Sequence, residues 1–211
     1  MFLELKNGSW LIDTGAPSSF GSELSATIEG IDFEIQTSDY MGLTVEQLQE
    51  STEVELVGLL GGDILNQFDF ILDLPSEIVA ISRDALECVG TSLTLDEFME
   101  IPVITAIVSG REFKMFLDTG AQISYLQDEI IESFPKSGSM TDFFPGFGTF
   151  DTETYLVDMG LGCLQFSLRC GTLPLMLGMT LMMGGTEGIL GNDIFKDNKV
   201  GYFPRRRLLV I

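Results

Sequence analysis

The chain carries Leu11-Ile12-Asp13-Thr14-Gly15-Ala16 and, 105 residues later, Phe116-Leu117-Asp118-Thr119-Gly120-Ala121. Each copy sets two apolar residues before an Asp-Thr-Gly tripeptide and an alanine after it. A second shared element follows each of them: Gly58-Leu59-Leu60-Gly61-Gly62-Asp63-Ile64-Leu65 matches Gly188-Ile189-Leu190-Gly191-Asn192-Asp193-Ile194-Phe195. Further on, Phe70-Ile71-Leu72-Asp73-Leu74-Pro75 is echoed by Val200-Gly201-Tyr202-Phe203-Pro204. Three elements repeated in the same order indicate an internal duplication. The copies are unequal, because Asp13 to Gly61 spans 48 residues and Asp118 to Gly191 spans 73. The extra residues fall mostly within 135–187, a region rich in Gly, Phe and Met.

Working outward, short β-branched or apolar runs bounded by Gly, Pro or Ser predict strands at Phe70–Leu74, Ile78–Ile81, Ile101–Ile107, Phe113–Leu117 and Leu208–Ile211. Thr44-Val-Glu-Gln47 has the spacing of a capping box and predicts a helix through about Glu50. Thr94-Leu-Asp-Glu97 predicts a second helix start, and Leu126–Phe134 a third helix with Leu126, Ile130, Ile131 and Phe134 on one face. The join between the halves falls near 86–101, giving an N-terminal lobe over 1–92 and a C-terminal lobe over 93–211. The fold class expected is mainly β, with two small β-barrel lobes.

Composition narrows the chemistry. The 211 residues include no histidine, which excludes Ser-His-Asp and Cys-His nucleophile activation and His-ligated zinc. Acid–base work therefore falls to carboxylates. Lys and Arg number 11 against 32 Asp and Glu, a net charge of −21. With Arg205-Arg206-Arg207 as the single basic run, a nucleic-acid partner is not expected. The acid is uneven: residues 1–105 carry 2 basic and 20 acidic side chains, residues 106–211 carry 9 and 12. That imbalance is read first as a solvated acidic surface, with a basic partner or a low working pH as the alternative. Cys88, Cys163 and Cys170 are odd in number and lack Cys-x-x-Cys spacing, so buried free thiols in a reducing compartment are expected. The N-terminus lacks the layout of a secretory signal, and the apolar Leu173–Met183 run is broken by Pro174, Gly178 and Thr180. A soluble, cytoplasmic protein without a membrane partner is expected.

An Asp-Thr-Gly loop after an apolar strand leaves a carboxylate at the strand end. If the halves pack about a pseudo-two-fold axis, Asp13 and Asp118 face each other and share one proton. One then serves as general base on a water and the other as proton donor to a carbonyl, without metal or cofactor. These motifs resemble the aspartic peptidases of the pepsin–retropepsin superfamily. Ala16 and Ala121 after the glycine resemble retropepsins rather than pepsins, which have serine there. The resemblance implies a bilobal single chain of two retropepsin-sized lobes and an endopeptidase whose catalytic pair is Asp13 and Asp118. It implies that Thr14 and Thr119 bond across the lobes and that Gly15 and Gly120 bond the carboxylates. It also implies a β-hairpin flap. Phe144-Pro145-Gly146-Phe147-Gly148-Thr149 is the candidate tip in the second half, with Phe147 and Gly148 as candidate substrate contacts, and Asp39-Tyr40-Met41-Gly42 is its counterpart in the first. Without a hydroxyl beside the carboxylates, the dyad should be less acid-shifted, placing the optimum in the mildly acidic range.

The remaining features have plainer readings. Met176, Met179, Met182 and Met183 read as core or as an adaptable apolar subsite. Asp63 and Asp193 read as caps of the helices that follow, Asp69 and Asp73 as ordinary loop and strand-end acids, and Arg205–Arg207 as a solvated face. Only 12 residues precede Asp13, so the first half either lacks an initial strand or borrows one, with Leu208–Ile211 available to pair with Phe2–Leu5. A monomer acting on peptide bonds between apolar residues is expected. The rival reading is a catalytically idle module of the same fold that binds peptides without cutting them.

Overall fold

The computed structural model describes residues 1–37 and 42–211. Each Asp-Thr-Gly loop is built the same way locally. Strand Gly8–Ile12 runs parallel to Gly58–Leu60, which pairs antiparallel with Phe20–Gly21. Strand Arg111–Leu117 runs parallel to Gly188–Leu190, which pairs antiparallel with Ser124–Leu126. The Gly-Leu-Leu and Gly-Ile-Leu triplets are buried at every position, as befits strands covered on both faces. At the end of each pairing the aspartate amide is anchored, Asp13 N–H to Leu60 O at 3.0 Å and Asp118 N–H to Leu190 O at 2.9 Å.

The chain is mainly β, as expected, and in the second half six strands close into a ring, because Ile101–Val108 pairs with both Arg111–Leu117 and Gly148–Leu161; no such ring forms among the described strands of the first half. A four-stranded sheet, Phe2–Leu5, Gly8–Ile12, Gly58–Leu60 and Phe20–Gly21, belongs to the first half and stands beside a separate hairpin, Ser25–Ile28 with Ile31–Glu34. An eight-stranded sheet runs from Asp96–Phe98 to Lys136–Phe144, with an additional pairing of Ile107 and Val108 to Gly160 and Met159. A five-stranded sheet draws on both ends of the chain, in the order Ile78–Ser82, Asp69–Asp73, Lys199–Phe203, Leu208–Val210, Ser92–Thr94. The core follows these sheets. The largest apolar cluster holds Trp10, Phe68, Phe70, Phe113, Met115, Phe195 and Tyr202, and two smaller ones form around Leu11–Leu59 and Ile123–Ile189.

The end of the chain does not pair with its beginning. Phe2–Leu5 folds back on Gly8–Ile12 across a two-residue turn, and Leu208–Val210 pairs with Lys199–Phe203 and Ser92–Thr94. Closing a two-residue turn costs far less chain entropy than joining the termini, so the local hairpin prevails. The first half thus has its initial strand, only shorter than its counterpart Ile101–Val108.

Helix expectations fare unevenly. Val45–Thr52 is helical with the Thr44–Gln47 capping box in place. Thr94–Glu97 starts no helix: Met99 and Glu100, at φ 48° and 67°, make a tight reversal that pairs Asp96–Phe98 with Ile101–Val103. Leu126–Phe134 gives only a single 3₁₀ segment, Glu129–Ser133, capped by Asp128. Pro135 holds Phe134 extended, leaving no room for an α-helix. Helix Leu175–Met183 buries Leu177, Gly178 and Leu181 alone; Met176, Met179, Met182 and Met183 are 60–81% exposed and belong to no core cluster. Among the described residues, no helix is long and apolar enough to cross a membrane.

Arg205 and Arg206 are exposed, as expected of a solvated face, but they also balance an acid of the first half, and Asp69 is no ordinary loop acid. Asp69 is 0% exposed and accepts from Arg205 Nη2 at 3.0 Å, Arg206 Nη2 at 2.6 Å and the Leu86 amide at 3.0 Å. A buried carboxylate is tolerable only when its lone pairs are filled by such charged and backbone donors.

Candidate active site

The two Asp-Thr-Gly loops meet. Thr14 N–H donates to Thr119 Oγ1 at 3.1 Å and Thr119 N–H to Thr14 Oγ1 at 3.0 Å. Each hydroxyl in turn donates to the other half, Thr14 Oγ1 to Leu117 O at 2.6 Å and Thr119 Oγ1 to Ile12 O at 2.8 Å. Both threonines are 2% exposed, so all four bonds lie out of water, where leaving any of them unmade is costly. They hold the loops at fixed separation with the aspartates side by side. Gly15 and Gly120 are required for the approach: a Cβ on Gly15 would lie 2.5 Å from Asp118 Oδ2, and one on Gly120 2.7 Å from Asp13 Oδ2.

The aspartates differ in their donors. Asp13 Oδ1 accepts from the Gly15 amide at 2.9 Å, whereas Asp118 Oδ1 accepts from Gly120 at 2.8 Å and Ala121 at 3.1 Å. Burial raises both carboxyls above the usual range. Asp13 is raised further, by the charge of Asp118 and by the hydrogen bond between them. In Asp118 that same bond and the two amides oppose the effect of burial. The second amide on Asp118 favours its ionised form, and the two carboxyls titrate as a pair.

The dyad opens into a cleft of about 780 Å³. One wall is Leu11, Ala16, Leu43, Leu48 and Leu59 from the first half; another is Tyr125, Leu173 and Ile189 from the second. Over it lies the hairpin Lys136–Phe144 and Gly148–Leu161, turning through 145–147. The expected hairpin is present, but its contacts differ from those anticipated. Phe143, Phe144, Pro145, Thr149 and Phe150 line the cleft, while Phe147 and Gly148 do not. Phe147 sits in the turn, exposed and edge-on to Phe150 at 6.2 Å. The methionines of 175–183 do not line the cleft either. In the first half Met41 lies outside the described residues, and Gly42 is absent from the lining. The charged lining side chains are Asp13, Glu50, Asp118 and Asp142, and the Met1 amine on the same lining interacts with both aspartates.

Asp63 and Asp193 do not cap the following helices, whose N-caps are Gly61 and Gly191. Asp63 Oδ1 accepts from the Ile64 amide in the first turn of its helix at 3.0 Å and also from Ser19 N at 2.9 Å and Ser19 Oγ at 2.6 Å, and Asp193 pairs with Lys196. Ser19 and its equivalent Ser124 accept from the Gly61 and Gly191 amides at 2.9 and 3.1 Å. Sequence reasoning passed over both, although each lies six residues after its aspartate. It also passed over Tyr125, whose hydroxyl donates to Asp142 on the hairpin. No local sequence signal links those two.

Residues 99–202 match the retroviral aspartyl protease family. The retroviral aspartyl protease match takes in the Asp118 loop, the Lys136–Leu161 hairpin and Gly188–Leu190, and leaves the Asp13 loop outside. Among solved structures, a retropepsin-like aspartic protease from Rickettsia conorii is similar, with 16% identity, covering 59% of this chain and 100% of that chain, at a TM-score of 0.37. No curated protein matches the chain.

Proposed function

We propose that this protein is an aspartic endopeptidase acting as a single chain, with one catalytic aspartate from each half, 1–92 and 93–211. The observation that carries the reading is the contact of two half-buried carboxyls, Asp13 and Asp118, held together by the reciprocal Thr14–Thr119 bonds at the floor of an open cleft. The retroviral aspartyl protease match over residues 99–202 supports the same activity. Three free thiols support a reducing, cytoplasmic setting.

In this mechanism Asp118, ionised, takes a proton from a water as it attacks the scissile carbonyl, and Asp13, protonated, donates to the carbonyl oxygen. The resulting tetrahedral diol collapses as the Asp118 carboxyl passes its proton to the departing amine, the C–N bond breaks, and Asp13 takes back a proton from a diol hydroxyl. Free acid and product amine separate, and the pair is left again with one proton. The Phe- and Leu-lined cleft favours apolar side chains on both sides of the bond.

A peptide-mixture digest from about pH 3.5 to 7.5, read by mass spectrometry, tests this. The parent should cut, most rapidly at mildly acidic pH, because both carboxyls are raised. Asp13→Asn and Asp118→Asn should each lose at least about a hundredfold in rate, as removal of a general acid or base does. Loss in only one variant rejects the shared dyad, and no cutting at any pH returns the idle peptide-binding reading.

A further inference from the structure

Phe143 and Phe144 are neighbours on the hairpin strand Lys136–Phe144, so their side chains leave opposite faces. Phe144 packs with Ile123, Tyr125, Leu173 and Ile189 of its own half. Phe143 packs against the other half, on a cluster made of Phe20, Leu56 and five others, Leu11, Ala16, Leu43, Leu48 and Leu59. Those five residues all line the cleft, and so does Phe143 itself. The residue beside it fixes this placement. Asp142 accepts from the buried Tyr125 hydroxyl through Oδ2 and from the Phe143 amide at 2.8 Å through Oδ1. Tyr125 stands on the strand that follows the Asp118 loop, so the hairpin is tied to the body of one half while its phenylalanine reaches the other.

We infer that the Leu11–Ala16–Leu43–Leu48–Leu59 wall is a substrate subsite for one large apolar side chain, aromatic or branched aliphatic, and that Phe143 fills it when no substrate is bound. The inference rests on the peptidase reading for the identity of the ligand as a peptide. The seat is apolar, open to the cleft and already shaped around a phenyl ring of the protein's own chain. A substrate side chain entering it displaces Phe143, and the Tyr125–Asp142 bond is the latch that returns the hairpin. Phe143 is thus a specificity-determining residue, and Tyr125 and Asp142 are positioning residues.

Calorimetry with the Asp13→Asn protein and a peptide series tests this without turnover. Each peptide position is varied in turn among Ala, Leu and Phe. In the parent background the Phe-over-Ala preference is muted at one position, because the incoming ring competes with Phe143. Phe143→Ala vacates the seat and should raise that preference roughly tenfold, the scale of burying one aromatic side chain. Phe143→Leu should give an intermediate gain, and it keeps the test standing if the alanine variant fails to fold. Phe143→Trp should abolish the preference at that position alone. A uniform change at all positions, or none at any, overturns the subsite. Cleavage by the parent together with an unchanged preference rejects the subsite and spares the peptidase reading. A raised preference in a protein whose parent never cuts rejects the peptidase reading and spares the subsite.

Discussion

Asp13 stores a cost as well as a function. Burial and the charge of Asp118 hold its carboxyl well above the usual 3.8, so the native state keeps a proton that the unfolded chain releases. Where the native state binds more protons, stability falls as pH rises, here from about the ordinary carboxylate value up to the raised one. Below that window both states are protonated and the cost vanishes. Asparagine has no proton to lose and can still donate to Asp118. Asp13→Asn should therefore melt several degrees higher than the parent at pH 7, since about 1 kcal/mol moves Tm by roughly 2–4 °C at this size. The gain should shrink toward zero as the pH approaches 4. Thermal melts at the two pH values check this, and an Asp13→Asn protein less stable than the parent at pH 7 rejects it. Threonine at 14 and 119 is fixed by a different need: one side chain must accept an amide and donate to a carbonyl across the interface. Valine would fill the space and orphan both partners.

Among the elements, the turn Pro204–Arg206 does more than connect two strands. It brings Arg205 and Arg206 onto Asp69, the first residue of strand Asp69–Asp73, and so ties the end of the chain to the first half. Arg206 also lies over the Phe203 ring, its guanidinium carbon 4.0 Å from the centroid. Arg206→Met should cost about 1–3 kcal/mol, less than the ~3–5 of a fully uncompensated buried charge because Arg205 remains. Arg207→Met should cost little, as no buried partner depends on Arg207. Paired denaturant titrations check this, and equal effects would refute the clamp. This element also marks where sequence reading stopped. The strands, the Thr44 cap and the dyad loops were legible because alternation, capping and duplicated motifs are local signals. The Arg–Asp clamp, the Tyr125–Asp142 bond and the seat of Phe143 are contacts between residues distant in sequence, which composition and spacing do not encode. The misread helices failed for the complementary reason: Thr94–Glu97 has a valid local cap, overridden by pairing with Ile101–Val103. The exposed methionines invert the usual expectation for apolar residues, because a helix apolar on every face can bury only one of them.

Taken as a whole, the molecule is strongly and unevenly acidic, and the cleft concentrates that asymmetry. Its lining carries Asp13, Glu50, Asp118 and Asp142 and no Lys or Arg among the described residues, within a chain of net charge −21. The Met1 amine on the lining offsets part of this charge, and a concave, low-dielectric site whose side chains carry one sign focuses the remaining field on an approaching ligand. The effect reaches about 30 Å at 0.01 M salt and about 3 Å at 1 M. On the proposed peptidase reading, apolar walls choose the residues at the scissile bond, while the field acts on what flanks them. Two peptides with the same apolar cleavage site, one flanked by lysines and one by glutamates, separate these contributions. At low salt kcat/KM should favour the lysine peptide by at least roughly tenfold. The two values should converge toward that of an uncharged peptide as salt approaches 1 M. The difference should appear mainly in KM, because flanking charges act before the dyad meets the bond. A preference that persists at high salt would place a specific basic subsite against Glu50 or Asp142 in place of the long-range field. No preference at low salt would mean that counterions already neutralise the acidic surface and that the cleft selects by its apolar walls alone.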